Sequence, residues 1–159
     1  MKISNLTTWL VSRARKRPIT TIVVHATAGA SALSSVRWLR VVANSYHYLI
    51  DRDGSVIKAV PTSRVAFHAG RSVGPDGANV NEYSIGIAFA NRDDGKEQIT
   101  EAQMVTLVAL SKEIESNIPT VKWLTTHKRI SPGRKVDPRL FDAPSFVKRL
   151  GTKTRLKNW

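Results

Sequence analysis

Apolar positions along this chain change period several times, and each change marks an element. Thr20–His25 is an unbroken β-branched run, the pattern of a strand buried on both faces. Ala28-Gly29-Ala30 breaks it, and Leu33–Asn44 then sets Val36, Leu39 and Ala43 at helical spacing. Ser45–Asp51 and Ser55–Val60 are strand-like runs around the turn signal Arg52-Asp53-Gly54, which predicts a hairpin. Val73–Asn81, rich in Gly, Pro, Asn and Asp, predicts a loop. Ser84–Ala90 predicts a second buried strand, closed by the polar stretch Asn91–Lys96. Thr100-Glu101-Ala102-Gln103 has the capping-box form, and Val105, Val108, Ala109 and Lys112 carry the helix to Asn117. Val121–Thr126 predicts a short strand leading into His127, and Pro144–Leu150 a terminal helix. Near the start, Asn5–Arg17 predicts a short basic helix with Leu6, Trp9 and Leu10 on one face and Pro18 just past its end. Strands and helices intermix without strict βαβ alternation. The predicted fold class is therefore mixed α/β, a central mixed sheet covered by helices.

Composition sharpens this picture. A chain of 159 residues predicts one domain, 1–159, and a chain of that length buries roughly 68–70% of its unfolded surface. There is no cysteine, so any metal must be held by histidine, carboxylate or water. The N-terminal stretch lacks the form of a signal peptide, and no apolar run approaches the roughly 18 residues of a membrane span. The expectation is a protein kept in the cytoplasm until something else releases it. Charge is lopsided, with 25 Lys+Arg against 12 Asp+Glu and a net +13. Lys2, Arg13, Arg15, Lys16 and Arg17 crowd the N-terminal segment. Lys148, Arg149, Lys153, Arg155 and Lys157 crowd the tail 148–159. Such an excess implies an anionic partner: nucleic acid, an anionic lipid surface or an acidic wall polymer. No helix-turn-helix, finger or stacking-aromatic signature supports specific nucleic-acid binding.

The candidate chemistry lies at two strand ends. His25 closes the first apolar run and His127 closes Val121–Thr126. Asp137 follows ten residues after His127, beyond Ser131-Pro132-Gly133, which can turn the chain back. Taken singly, each has a plain structural reading, as a strand-end histidine or as a turn-initiating aspartate before Pro138. Taken together, two imidazoles and one carboxylate match a catalytic zinc site with one position left for water. Trp38 and Trp123 read as core residues ahead of sugar platforms, whereas Trp9 and Trp159 lie beside basic clusters and mark a contact surface.

The surrounding motifs carry a resemblance. Ile22-Val23-Val24-His25-Ala26-Thr27, Ser45-Tyr46-His47-Tyr48-Leu49-Ile50-Asp51-Arg52-Asp53-Gly54, Ala66-Phe67-His68-Ala69-Gly70, Asn81-Glu82-Tyr83-Ser84-Ile85-Gly86-Ile87 and Thr126-His127 through Asp137-Pro138 occur in one order over about residues 20–141. In this the chain resembles the zinc-dependent N-acetylmuramoyl-L-alanine amidases, which include phage lysis amidases, recycling amidases and peptidoglycan recognition proteins. The resemblance implies an amidase-like fold and one Zn²⁺ held by His25, His127 and Asp137. It implies catalytic roles for Tyr46 and Lys135, and hydrolysis of the amide between N-acetylmuramic acid and L-alanine in bacterial peptidoglycan. It places His68 near the cleft, behind a ligand, against substrate or in a structural role, and Asn81 in a loop or against the stem peptide. His47, alternating with Tyr46, is assigned to packing or hydrogen bonding. Many relatives carry a glutamate after Ser-Ile-Gly-Ile. Here Ala88 stands there, which leaves the base to Tyr46 or to water activated by the metal.

Of the roles open to such a chain, a phage or prophage endolysin accounts best for the charge and for Ala88. It would be monomeric, wait in the host cytoplasm, and contact anionic envelope lipids as well as wall when released at lysis. A cytosolic amidase recycling soluble muropeptides and a non-catalytic wall-binding module are the alternatives.

Overall fold

The computed structural model describes residues 2–7, 10–151 and 155–156. In chain order the strands are β1 (Ile3–Asn5), β2 (Ser12–Ala14), β3 (Thr21–Ala26), β4 (Tyr48–Ile50), β5 (Val56–Lys58), β6 (Arg64–Ala66), β7 (Val73–Gly74), β8 (Gly77–Ala78), β9 (Ser84–Phe89), β10 (Trp123–Thr126) and β11 (Arg155–Leu156). The helices are α1 (Ala32–Val41), α2 (Glu101–Asn117), α3 (His127–Ile130) and α4 (Ala143–Leu150), with a 3-10 turn at Val80–Tyr83.

Among the described residues seven strands form the main sheet, in the order β1-β5-β4-β9-β3-β10-β11. Only the β4–β5 hairpin is antiparallel; every other neighbouring pair runs parallel. A mixed sheet with helical cover is what the irregular alternation of elements predicted. The central strands β3 and β9 are buried along their whole length, as two-sided cover of parallel strands requires. Their side chains divide by parity. Ile22, Val24, Ile85, Ile87 and Phe89 pack with Leu107, Leu110 and Ile114 of α2 and Phe146 and Leu150 of α4. On the opposite face Val23 packs with Ala69, Val80, Tyr83 and Ile130. His25 shares that second face with Val23.

Local signals hold where the chemistry is local. The Thr100 hydroxyl accepts from the Gln103 backbone N–H at 3.1 Å and the Gln103 carboxamide accepts from the Thr100 N–H at 3.0 Å, completing the capping box. Gly54, at φ 81°, closes the β4–β5 turn, and the Asp51 N–H donates to Ser55 O at 2.8 Å. α1 stops at Val41, short of the expected Asn44, and Ala43 takes φ 53° beyond it.

Among the described residues the N-terminal helix is not observed. Asn5 closes β1, parallel to β5, and Ser12–Ala14 pairs antiparallel with β6. Tertiary contacts decide this. The Arg15 guanidinium donates to the carbonyls of Thr62 (3.1 Å), Glu82 (2.8 Å), Arg64 (2.8 Å) and Ser84 (3.0 Å), while Arg13 pairs with Glu82. An extended segment lets one guanidinium reach carbonyls on several elements. Burial, then the neighbouring Arg13 charge, lower the Arg15 pKa to about 10. Part of the N-terminal charge is thus consumed inside the fold. Trp9, Lys153, Lys157 and Trp159, read from sequence as parts of contact surfaces, lie outside the described residues.

Candidate metal centre

Strand pairing builds the site. β3 and β10 are parallel neighbours in the register Thr126↔Val24, so the next residue on each strand, His127 and His25, emerges side by side at the same sheet edge. Their ring centroids are 4.5 Å apart. Both rings are buried, His25 completely. From His127 the chain makes the single-turn α3, then folds back through Ser131-Pro132-Gly133, with Gly133 at φ 74°. The Lys128 N–H donates to Asp137 O at 2.9 Å, fixing the return. Arg134 braces the same loop by donating to Ala69 O (2.7 Å), Arg71 O (2.9 Å) and Ser131 Oγ (2.7 Å).

The carboxylate thereby arrives between the imidazoles. Asp137 Oδ1 lies 3.0 Å from His127 Nδ1, and Asp137 Oδ2 lies 3.4 Å from His25 Nδ1. One ligand atom from each of the three residues falls within 4.8 Å of the others. A cation fits this group on an independent observation: His25 Nδ1 is buried without a hydrogen-bond partner, an expensive arrangement unless something occupies its lone pair. The donor set, two imidazoles and one carboxylate, suits a borderline divalent cation.

The electrostatics follow from burial. Desolvation, then the adjacent His127, push the His25 pKa down to about 4. His68 is held well below its usual range, first by desolvation and then by His25. Burial opposes charge on Asp137, yet its contacts with His127 and His25 outweigh that and hold the carboxyl low. At neutral pH the group therefore presents a neutral His25 and an ionised Asp137, forms a metal needs.

The other residues singled out from sequence divide between cleft and scaffold. Tyr46 packs its ring 4.9 Å from His25. Lys135 is exposed and lines a small cavity of about 120 Å³ with Tyr46, His68 and His127. Burial, then Asp137, raise the Tyr46 pKa, so its phenol stays protonated and acts as a donor. His68 stands behind His25, with His68 Nδ1 3.0 Å from His25 Nε2. Asn81 acts on the backbone: its Oδ1 accepts from the His68 N–H (3.1 Å) and the Ala69 N–H (2.8 Å). His47 is wholly buried and accepts from the Gly86 N–H at Nδ1 (3.0 Å). Ala88 pairs in register with His25 and is fully buried, so position 88 supplies no carboxyl to that ligand.

A groove of about 410 Å³ is lined by Tyr46, His127, Lys135, Val136 and Asp137 together with Trp38 and Val42. Trp38, expected in the core, is 64% exposed on α1. Helical phase explains it: Ala32, Ser35, Val36 and Leu39 form the buried stripe, and Trp38 falls off it toward the groove. Ser84 and Gly86 belong to one of the motifs that carry the resemblance, yet the sequence assigns neither a role of its own. A glycine inside an apolar strand was the available signal, because it marks a close approach by another group.

Comparison with known proteins is consistent with this geometry. A family profile described as N-acetylmuramoyl-L-alanine amidase matches residues 15–140. The 1,6-anhydro-N-acetylmuramyl-L-alanine amidase AmpD of Salmonella typhimurium is 36% identical over 115 residues, 71% of this chain and 59% of the relative. The chain thus spans about three fifths of the length of the curated relative it matches. Among solved structures, the Escherichia coli amidase AmiD, determined with anhydro-N-acetylmuramic acid-L-Ala-D-gamma-Glu-L-Lys, superposes with TM-score 0.71 at 28% identity, covering 86% of this chain and 58% of AmiD. The N-acetylmuramoyl-L-alanine amidase LysC of Clostridium intestinale gives TM-score 0.74 at 24% identity, covering 96% and 99%, and shows a shared fold.

Proposed function

The chain belongs to the N-acetylmuramoyl-L-alanine amidase family, and from that premise we propose that it hydrolyses the amide joining N-acetylmuramic acid to L-alanine in bacterial peptidoglycan, with one Zn²⁺ held by His25, His127 and Asp137. The convergence of those three ligand atoms beside an open groove carries the reading. Zinc, when bound, polarises the scissile carbonyl and acidifies a water. The chain's own residues complete the task. The Lys135 ammonium, exposed at the cavity rim, supplies positive charge where an oxyanion develops. The protonated Tyr46 hydroxyl donates a hydrogen bond into the same space and is not the base. Ala88 beside His25 cannot take a proton and Asp137 is held low, so neither position supplies the base. Mass spectrometry of purified peptidoglycan digested before and after chelation tests the proposal. Free stem peptides with an L-alanine amino terminus, lost on chelation and restored by Zn²⁺, are expected; intact stems in every sample overturn it.

We further propose a phage or prophage endolysin that acts on polymeric wall after release from the host cytoplasm. The net +13 charge supports this, since wall and envelope lipids are anionic. The exposed Trp38 at the groove supports it too, as a flat apolar surface against which a sugar ring can pack. Similarity to AmpD favours a second reading, turnover of soluble anhydro-muropeptides. Comparing kcat/KM on intact sacculi and on soluble anhydro fragments separates them. A preference for sacculi is expected, and a preference for the fragments assigns the chain to recycling.

A further inference from the structure

We infer that His68 and Ser84 form a proton-fixing relay that sets the tautomer of His25 and so holds its Nδ1 lone pair toward the metal position; the inference rests on the metal-centre reading above. The Val80 carbonyl can only accept, and Ser84 Oγ lies 2.6 Å from it, so the single hydroxyl proton of Ser84 is committed there. Ser84 Oγ then offers only a lone pair to His68 Nε2, 3.1 Å away. That nitrogen must carry the proton. The lone pair of a neutral His68 ring therefore sits on Nδ1, facing His25 Nε2 at 3.0 Å. Two lone pairs cannot face one another at that distance, so His25 donates from Nε2 and its own lone pair is left on Nδ1. This is the buried, partnerless atom facing Asp137.

The second histidine reaches the same state by a shorter route. His127 Nε2 lies 3.3 Å from the Ala69 carbonyl, which can only accept; a proton kept there turns the His127 Nδ1 lone pair toward Asp137 Oδ1 at 3.0 Å, a pairing that needs a cation between the two. One ligand is set by a backbone carbonyl, and the other by two side chains in series.

The surroundings are shaped for the relay. A Cβ at Gly86 would lie 2.5 Å from His68 Cγ and 2.8 Å from His68 Nδ1, so only glycine lets the His68 ring lie against β9. Ser84 and Gly86 are two residues apart and share one face of the strand. Asn81 ties down the backbone of His68 itself. His68 is thus a positioning residue, reaching the metal position only through His25. Removing the Ser84 hydroxyl frees His68 to take the opposite tautomer, donate to His25 Nε2 and leave a proton on His25 Nδ1, where it blocks the cation.

The test uses the metal-free full-length chain and Zn²⁺ alone. Nitrogen-15 histidine NMR of the native chain at neutral pH is expected to show His25 and His68 protonated at Nε2 only; a proton on His25 Nδ1 overturns the inference without any variant. Ser84→Ala is expected to raise the calorimetric Zn²⁺ dissociation constant about 10- to 100-fold, the usual effect of removing a partner behind a metal ligand, and to move the His68 nitrogen shifts toward the other tautomer. Unchanged affinity and shifts in a folded Ser84→Ala protein also overturn it. A chain that binds Zn²⁺ through this relay and leaves peptidoglycan intact loses the amidase reading and keeps the relay. One that cleaves the amide with the opposite tautomer does the reverse.

Discussion

The two walls of the site are built on opposite principles. The inner wall is dry and rigid: His25, His47, His68 and Ser84 are almost entirely buried on β3, β9 and the segments packed against them. The polar side-chain atoms of these four residues have hydrogen-bond partners, apart from His25 Nδ1, which is aimed at Asp137. The outer wall is loop and helix surface, where Lys135 and Val136 line a groove together with Trp38 and Val42, all four exposed. The inner wall cannot reorganise cheaply, because each buried group depends on its neighbour's proton. The outer wall can change residues without disturbing the fold. Metal capture and stability should therefore follow the inner wall, and turnover and substrate choice the outer one.

The sharpest break of that division is to remove a ligand. His25→Ala, His127→Ala or Asp137→Ala should each lower kcat/KM by at least about 10³-fold, roughly 4 kcal/mol of barrier, and abolish stoichiometric Zn²⁺ binding by calorimetry. A ligand variant that keeps both would show that the three residues meet for structural reasons alone.

Acid should strike the same wall next. His25 and His47 are lowered to about 4 and about 3, each first by desolvation, and His68 lies well below its ordinary value. For a histidine whose folded pKa lies below its unfolded one, the unfolded chain binds more protons. Stability is then full above about pH 6.5 and falls with pH, by up to about 1.4 kcal/mol per pH unit per group, until the folded pKa is reached. Urea unfolding of the metal-free chain should thus lose several kcal/mol between about pH 7 and pH 5. A midpoint flat across that range would mean that these rings already carry protons in the fold.

How much of this contrast was readable in the sequence depends on range. The strands ending at His25 and His127 announce themselves as apolar runs, and the capping box at Thr100 is a four-residue motif, so both were legible. Parallel pairing of β3 with β10 then makes convergence of the two histidines a matter of register. The N-terminal segment was misread because its fate is set by carbonyls far along the chain, at Thr62, Arg64, Glu82 and Ser84, which no local periodicity encodes. The partnership of His68 with Ser84 is hidden in the same way. Trp38 is a different kind of miss. The helical phase of Val36 and Leu39 already turned it outward, and residue type was weighed above position.

On the outer wall, Lys135→Met should lower kcat by about 10²-fold, near 3 kcal/mol, by removing charge from the developing oxyanion. Lys135 is exposed and touches the ligands only through space, so Zn²⁺ affinity should stay within a few-fold. Loss of metal together with loss of rate would move Lys135 to the inner wall and blur the comparison.

Trp38→Ala should give the smallest effect and the most selective one. The indole is 64% exposed, so stability should shift by less than about 0.5 kcal/mol. It borders the groove that also holds Tyr46, His127 and Asp137, where a sugar ring can lie against it. Stacking of that kind contributes about 1 kcal/mol, so kcat/KM on intact sacculi should fall roughly 5- to 10-fold. Turnover of a short soluble fragment, with no sugar lying along α1, should be unchanged. Equal losses on both substrates would place Trp38 in the binding of every substrate. No loss on either would leave the outer wall without a glycan contact, and the choice between wall lysis and recycling would then rest on charge alone.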